Sequence, residues 1–496
     1  MTQDLVEGGR PGRAVALSGR QIAGIVGFLV CVELASGVLQ GYYTPIYTDI
    51  ARHLHIADAD VNWFEAAQLM VSALVLPILA RLGDLIGHRR VLLLATVVTA
   101  VASWGLAVAP TFWTFLVAWA IQGFYVVWLP MEIAIIHRRT AGDERRTRVA
   151  ASVLVAALEL GVIVAAIGSG ALAGTIGMTG LLALPAVVVT AAWLAIYYGV
   201  PHVPVQATGR VDWRGFWLVT VALALVMAGL MVLRLTGPGS LWPWVILLAG
   251  LAAFVPFGRL ELRVAEPLVD LRILRAPGQW PIQLAAALIG ASLLGAQIPL
   301  STFARTDPAV AGYGLGASAG KVSYIIGGYV LSLAVGALLL PAVARPLGAR
   351  WTLALGALLV AVGYLLFLVR HDSLAQLISN MVVAGLGSGA LVAALPAAAA
   401  TEAPATHTGF VTGMTNTTKT LGGAIASSVY AISLSATGSI DTAGAVHAPM
   451  SGYLTVWAIC GGTALVAAAA LAAMALRGRR AGRPALQTTP TGHSLG

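Results

Sequence analysis

Four ionisable side chains stand where charge is most costly. Glu33, Glu132, Glu159 and Lys419 all fall inside long apolar stretches, and ionisable groups in hydrocarbon are expensive unless paired or watered, so they mark proton relays and substrate pathways. Three of them have polar or aromatic company at helical spacing. Glu33 is followed by Gly37, Gln40, Gly41 and Thr44, spacings of three and four that share one helix face. Tyr125, Trp128 and Glu132 stand at i, i+3 and i+7, an aromatic and acidic stripe suited to a lipophilic cation. Thr412, Asn416, Lys419 and Gly423 form another stripe. Counting about 1.5 Å per residue from the inner end of each stretch puts Glu33, Glu159 and Lys419 roughly 15 to 20 Å deep, near the midplane. The same count puts Glu132 shallower, in the cytoplasmic third. The expected chemistry is a Lys419–carboxylate pair with one acid left over to exchange a proton, and Glu33 is the first candidate for that acid. A static pair that only locks helix packing uses the same residue types. Glu65, near the outer end of its stretch, reads as an interfacial or gating group, and Gln122 and Asn380 read as helix-contact groups.

The elements that must hold these residues are membrane spans. With 58% hydrophobic and only 10% charged residues in 496, the chain is far from the roughly 25% charged residues of a soluble domain. Apolar runs of about 20 residues lie near 20–46, 62–82, 90–109, 112–136, 149–173, 177–200, 215–234, 241–260, 280–303, 321–344, 351–370, 374–400, 408–437 and 449–476. Fourteen spans place both termini on one side, and 23 of the 29 basic residues share that side, which the positive-inside rule assigns to the cytoplasm. The net charge of +9 is scattered between spans rather than gathered on one face, which excludes a nucleic-acid partner. Cys31 and Cys460 lie within spans, so neither a disulfide framework nor metal-ligand spacing arises. The first span is too long for a cleaved leader and is expected to remain as a helix. The polar segment after Arg483 is expected to be disordered.

A repeat organises the spans. Ser72–Arg81, S-A-L-V-L-P-I-L-A-R, returns at Gly336–Arg345 as G-A-L-L-L-P-A-V-A-R, identical at six of ten positions. Duplicated halves are how many secondary transporters are built. The expected layout is a cytoplasmic tail (1–19), an N-terminal six-helix bundle (20–200), two inserted helices with their loops (201–278), a C-terminal six-helix bundle (279–476) and a cytoplasmic tail (477–496). Only the first copy of the repeat runs on into R-L-G-D-L-I-G-H-R-R. Gly83 and Gly87 permit a tight turn, and Asp84, Arg89 and Arg90 can pair with neighbouring helix ends to latch one conformation from the inner side.

That run resembles the loop signature of the major facilitator superfamily, with Ala80 at its first Gly position and Leu85 where an Arg is usual. A-I-Q-G-F at Ala120–Phe124 with Pro130 is similar to the fourth-span motif of that family. E-P-L-V-D-L-R-I-L-R at Glu266–Arg275 and G-F-V-T-G-M-T-N-T-T-K-T-L-G-G at Gly409–Gly423 are similar to hallmarks of its fourteen-spanner drug:proton antiporter group. The resemblance implies an all-α membrane protein of major facilitator fold, with two six-helix bundles plus two extra central helices around a cavity that opens alternately to each side. It implies a monomer in a bacterial plasma membrane, driven by the proton gradient without a cofactor and exporting small amphipathic or cationic molecules. Its partners are then protons, a small-molecule substrate and the lipid bilayer. Two alternatives stay open: an uptake symporter or facilitator for a polar metabolite, and a non-transporting membrane receptor. No nucleophile–base pairing or phosphate-binding loop points to an enzyme.

Overall fold

The computed structural model describes residues 19–140, 143–201, 211–404, 407–435 and 446–481; the expectations for both tails fall largely outside them. The fold is all-helical. Among the described residues, thirteen helices are long and apolar enough to cross a membrane. The run near 408–437 forms a further long helix, Thr408–Ser433, whose threonines, Asn416 and Lys419 lower its hydropathy. Helix packing holds it in place: it lies against Val61–Ile86, Trp280–Gly290 and Leu374–Thr401.

Two six-helix bundles meet along two seams. Val61–Ile86 of the first packs against Thr408–Ser433 of the second, and Glu144–Leu172 against Ala319–Leu347. Second and fifth helices of one half thus face fifth and second helices of the other, as twofold-related repeats require. The repeated decapeptide lies in the second helix of each half. Both copies carry a proline inside the helix, Pro77 and Pro341, and both helices end at a glycine of positive φ, Gly87 at 104° and Gly348 at 83°. Side chains larger than glycine rarely adopt that backbone, so the residue type fixes where each helix turns into the next.

Two spans are interrupted rather than continuous. The fourth runs Phe112–Gln122, then a 3₁₀ turn over Gly123–Val127, then Trp128–Arg139. Pro130 has no N–H for the carbonyl one turn earlier and its ring crowds that carbonyl. The ninth runs Trp280–Gly290, a π turn over Ala291–Gly295 and Gln297–Arg305, with Pro299 in the corresponding place. A buried amide network closes the first interruption. Gln68 Nε2 donates to Gln122 Oε1 at 3.1 Å, while Gln122 Nε2 donates to Tyr43 Oη at 3.1 Å and to Ser103 Oγ at 2.9 Å. Asn380 likewise donates to the Arg370 carbonyl at 2.7 Å.

The inserted helices, Trp213–Thr236 and Trp242–Glu261, pack on each other and cover the first seam, with Leu223 and Met227 in one cluster with Leu69, Met70 and Ala424. Ion pairs tie them to both ends of the second span: Arg234–Asp60 at 3.2 Å and Arg81–Glu266 at 2.8 Å.

Bonds between the halves gather toward the end opposite the arginine-rich turns, the end expected from the charge asymmetry to face outward. Arg305 pairs with Asp49 at 2.6 Å, Ser301 Oγ donates to the Thr44 carbonyl at 2.5 Å, and Ser323 Oγ donates to the Ala166 carbonyl at 2.7 Å. Asp58 and His447, each only 1% exposed, meet at 2.8 Å, and the Asp58 N–H donates to the Val446 carbonyl. These bonds hold the two halves together at this end. Removing one partner of a buried pair costs about 3–5 kcal/mol, enough to move a two-state population by about two to four orders of magnitude. His447→Ala is therefore expected to raise labelling of a Ser301→Cys reporter by an impermeant maleimide added outside, in a background lacking Cys31. Unchanged labelling would remove the Asp58–His447 contact from the closure.

Candidate functional site

The first and fifth spans touch backbone to backbone. A Cβ on Gly37 would run into the Leu158 carbonyl and approach Val162 N to 2.7 Å and Gly161 Cα to 2.8 Å. Gly41 sits on the Val162 carbonyl, and a Cβ on Gly161 would meet the Leu34 carbonyl at 2.6 Å. Small residues four apart let membrane helices approach this closely. The contact fixes the rotation of the first span and with it the direction of Glu33.

Glu33 points at Glu132. Both residues are 0% exposed, their carboxyls interact directly, and none of the four shielded oxygens forms a hydrogen bond of ordinary geometry. No cation neutralises the pair through a described salt bridge. Two carboxyls side by side and away from water oppose being charged together, so the arrangement is chemically fit to take up and release a proton. A depth count along each helix separates Glu132 from Glu33, yet their carboxyls meet.

The aromatic stripe adjoins the pair. Tyr125 and Trp128 lie edge to face with centroids 6.3 Å apart. Trp128 is fully buried with its indole N–H unpartnered. Tyr125 lies within electrostatic reach of both Glu33 and Glu65, and Tyr47 of Glu65. A polar line thus runs from Glu65 through Tyr125 to Glu33 and Glu132. Gln40 is exposed and donates to Ser36 Oγ at 3.3 Å, apart from this line.

Lys419 and Glu159 form a second, separate group. They attract each other across the two halves without closing a direct salt bridge, and both are half-buried. Gly290 lies on the Lys419 carbonyl and Gly422 on the Ala287 carbonyl, which presses the lysine's helix against the ninth span. Asn416, one turn earlier, is also half-buried.

Within the loop signature Arg81 reaches out to Glu266, whereas Asp84, Arg89 and Gly83 make their contacts inside the first half. Asp84 pairs with Arg138 at 3.5 Å and with His88 at 3.4 Å. Arg89 donates to the Tyr197 carbonyl at 2.8 Å, donates also to the Val200 carbonyl, and lies over the Tyr197 ring. Gly83 is pressed on Met131 Sδ, 2.7 Å from where a Cβ would stand. Gly87 makes the turn and Arg90 is exposed. Arg138, the inter-span partner of Asp84, and the outer pairs Asp49–Arg305 and Asp58–His447 were not singled out from sequence. His447 lies 389 residues from Asp58, and nothing local to either residue signals the other.

The sequence profile described as "Major Facilitator Superfamily" matches residues 29–233 and 282–494. A cephamycin export protein of Amycolatopsis lactamdurans is 29% identical over 407 residues, 80% of this chain and 81% of that protein. A uridine/deoxyuridine transporter of Lactococcus lactis is 22% identical over 280 residues, which span 55% of this chain and 58% of the relative. The solved structure of the nucleoside transporter NupG superposes with a TM-score of 0.62 at 16% identity, covering 92% of this chain and 98% of that one.

Proposed function

The chain belongs to the Major Facilitator Superfamily, and from that premise we propose that it exports small amphipathic or cationic molecules in exchange for protons, by alternating access. That it is a multi-pass membrane transporter rather than an enzyme follows from the family; direction, coupling and cargo are the proposal. One observation carries it: the shielded Glu33–Glu132 pair, with no described counter-cation, beside the Tyr125–Trp128 aromatic stripe. The pair takes a proton while the cavity faces outward and gives it up to the cytoplasm as substrate loads. A lipophilic cation can stack on the aromatic stripe and use the charge that deprotonation leaves behind. Asp84, Arg89 and Arg90 then steady the inner turn while the outer end opens. The export assignment also draws on the cephamycin exporter, whose similarity extends over four fifths of both chains.

The test is flux in proteoliposomes. A fluorescent lipophilic cation should move against its gradient when a pH gradient is imposed and stop when a proton ionophore collapses it. Movement that ignores the gradient would favour the second reading, facilitated passage of a polar metabolite, which the resemblance to a uridine/deoxyuridine transporter supports.

A further inference from the structure

Lys419 and Glu159 take no part in the proton step proposed above. Lys419 is the only lysine or arginine within a predicted span rather than at a turn, and it comes from the C-terminal half, whereas Glu33, Glu132 and Glu159 all come from the N-terminal half. Its helix is held rigidly by backbone contacts at Gly290 and Gly422, so its position is set by packing. Lys419 is half-buried and makes no hydrogen bond or salt bridge among the described residues. Glu159 attracts it without touching it. A membrane-embedded ammonium that merely locked two helices would close its bond, because an unpaired cation in that setting is costly. An ammonium held short of its counter-charge can instead accept a second anion.

We infer that Lys419 is a binding group for a carboxylate on the transported molecule, with Glu159 as the neutralising partner that this carboxylate displaces. The cargo class narrows accordingly to amphipathic molecules bearing an acidic group, amphoteric when they also carry an amine to engage the N-terminal acids. The two halves then grip opposite ends of one molecule, so binding reports on both sides of the seam. This rests on the transporter reading but not on proton coupling.

Three fluorescent probes separate the possibilities: Nα-dansyl-lysine, its methyl ester, and Nε-acetyl-Nα-dansyl-lysine, which are amphoteric, cationic and acidic respectively. Binding to the purified full chain in detergent is read by dansyl fluorescence. Loss of one charge-assisted hydrogen bond corresponds to about tenfold in affinity, so both acid-bearing probes should bind about tenfold tighter than the ester. Lys419→Gln should erase that preference and Lys419→Arg should keep it. Glu159→Gln, which frees the ammonium, should tighten the acid-bearing probes and leave the ester unchanged; a purely structural pair would predict no such gain. Equal binding of acid and ester, no binding of any probe to folded protein, or an acid preference that survives Lys419→Gln would each overturn the inference. Equal binding together with pH-driven flux defeats the carboxylate assignment alone. Acid-selective binding without pH-driven flux defeats the coupling proposal alone.

Discussion

Glu33→Gln and Glu132→Gln are each expected to reduce pH-gradient-driven efflux from proteoliposomes to the rate measured without a gradient, while exchange of substrate down its own gradient persists. The reasoning is local. The two carboxyls share a shielded pocket in which no described cation neutralises them, and like charges so placed cannot both form readily. An amide removes the exchangeable proton but keeps shape and polarity, so binding and helix packing are preserved. Each acid is needed because each sets the electrostatic environment of the other. Undiminished coupling in either variant would move the proton site elsewhere, with Glu159 and Glu65 next in line.

Gly37→Leu is expected to prevent folding. Its Cβ would clash with the Leu158 carbonyl oxygen and sit 2.8 Å from Gly161 Cα, and backbone cannot move aside as a flexible side chain can. Overpacking of tight sites costs about 1–3 kcal/mol when side chains can shift; here two helices must part, so Gly37→Leu should exceed that. Gly37→Ala brings the same Cβ against the same backbone and should also be destabilised, with the Leu variant losing more. Monodisperse yield and unfolding temperature in detergent give the comparison. A Leu variant as stable as the parent would show that the first and fifth spans need not touch, and the argument that fixes the direction of Glu33 would fail with it.

The fold was legible because membrane spans announce themselves by length and apolarity, and because the repeat at Ser72 and Gly336 shows where the halves correspond. Thr408–Ser433 was legible as an apolar run like the others, although its threonines, Asn416 and Lys419 make one stripe of it polar. The acidic residues were legible as outliers in apolar stretches. Their grouping was not. Helical spacing places Glu33 with Gln40, yet Gln40 bonds to Ser36 and stands apart, while Glu132 arrives from another helix altogether. The outer closure was invisible for the same reason: Asp58 and His447 come together only after every span between them has packed. Periodicity reports which face a residue shares with its own helix, and a site between helices depends on rotations that close contacts such as Gly37–Gly161 set.

The measurement that bears most directly on the central claim needs no cargo. Proteoliposomes adsorbed on a solid-supported electrode and stepped in pH, with no substrate present, should give a transient current as protons reach the embedded carboxyls. The current should survive in Glu159→Gln and vanish in the double variant Glu33→Gln/Glu132→Gln. A double variant whose current equals that of the parent would contradict the account.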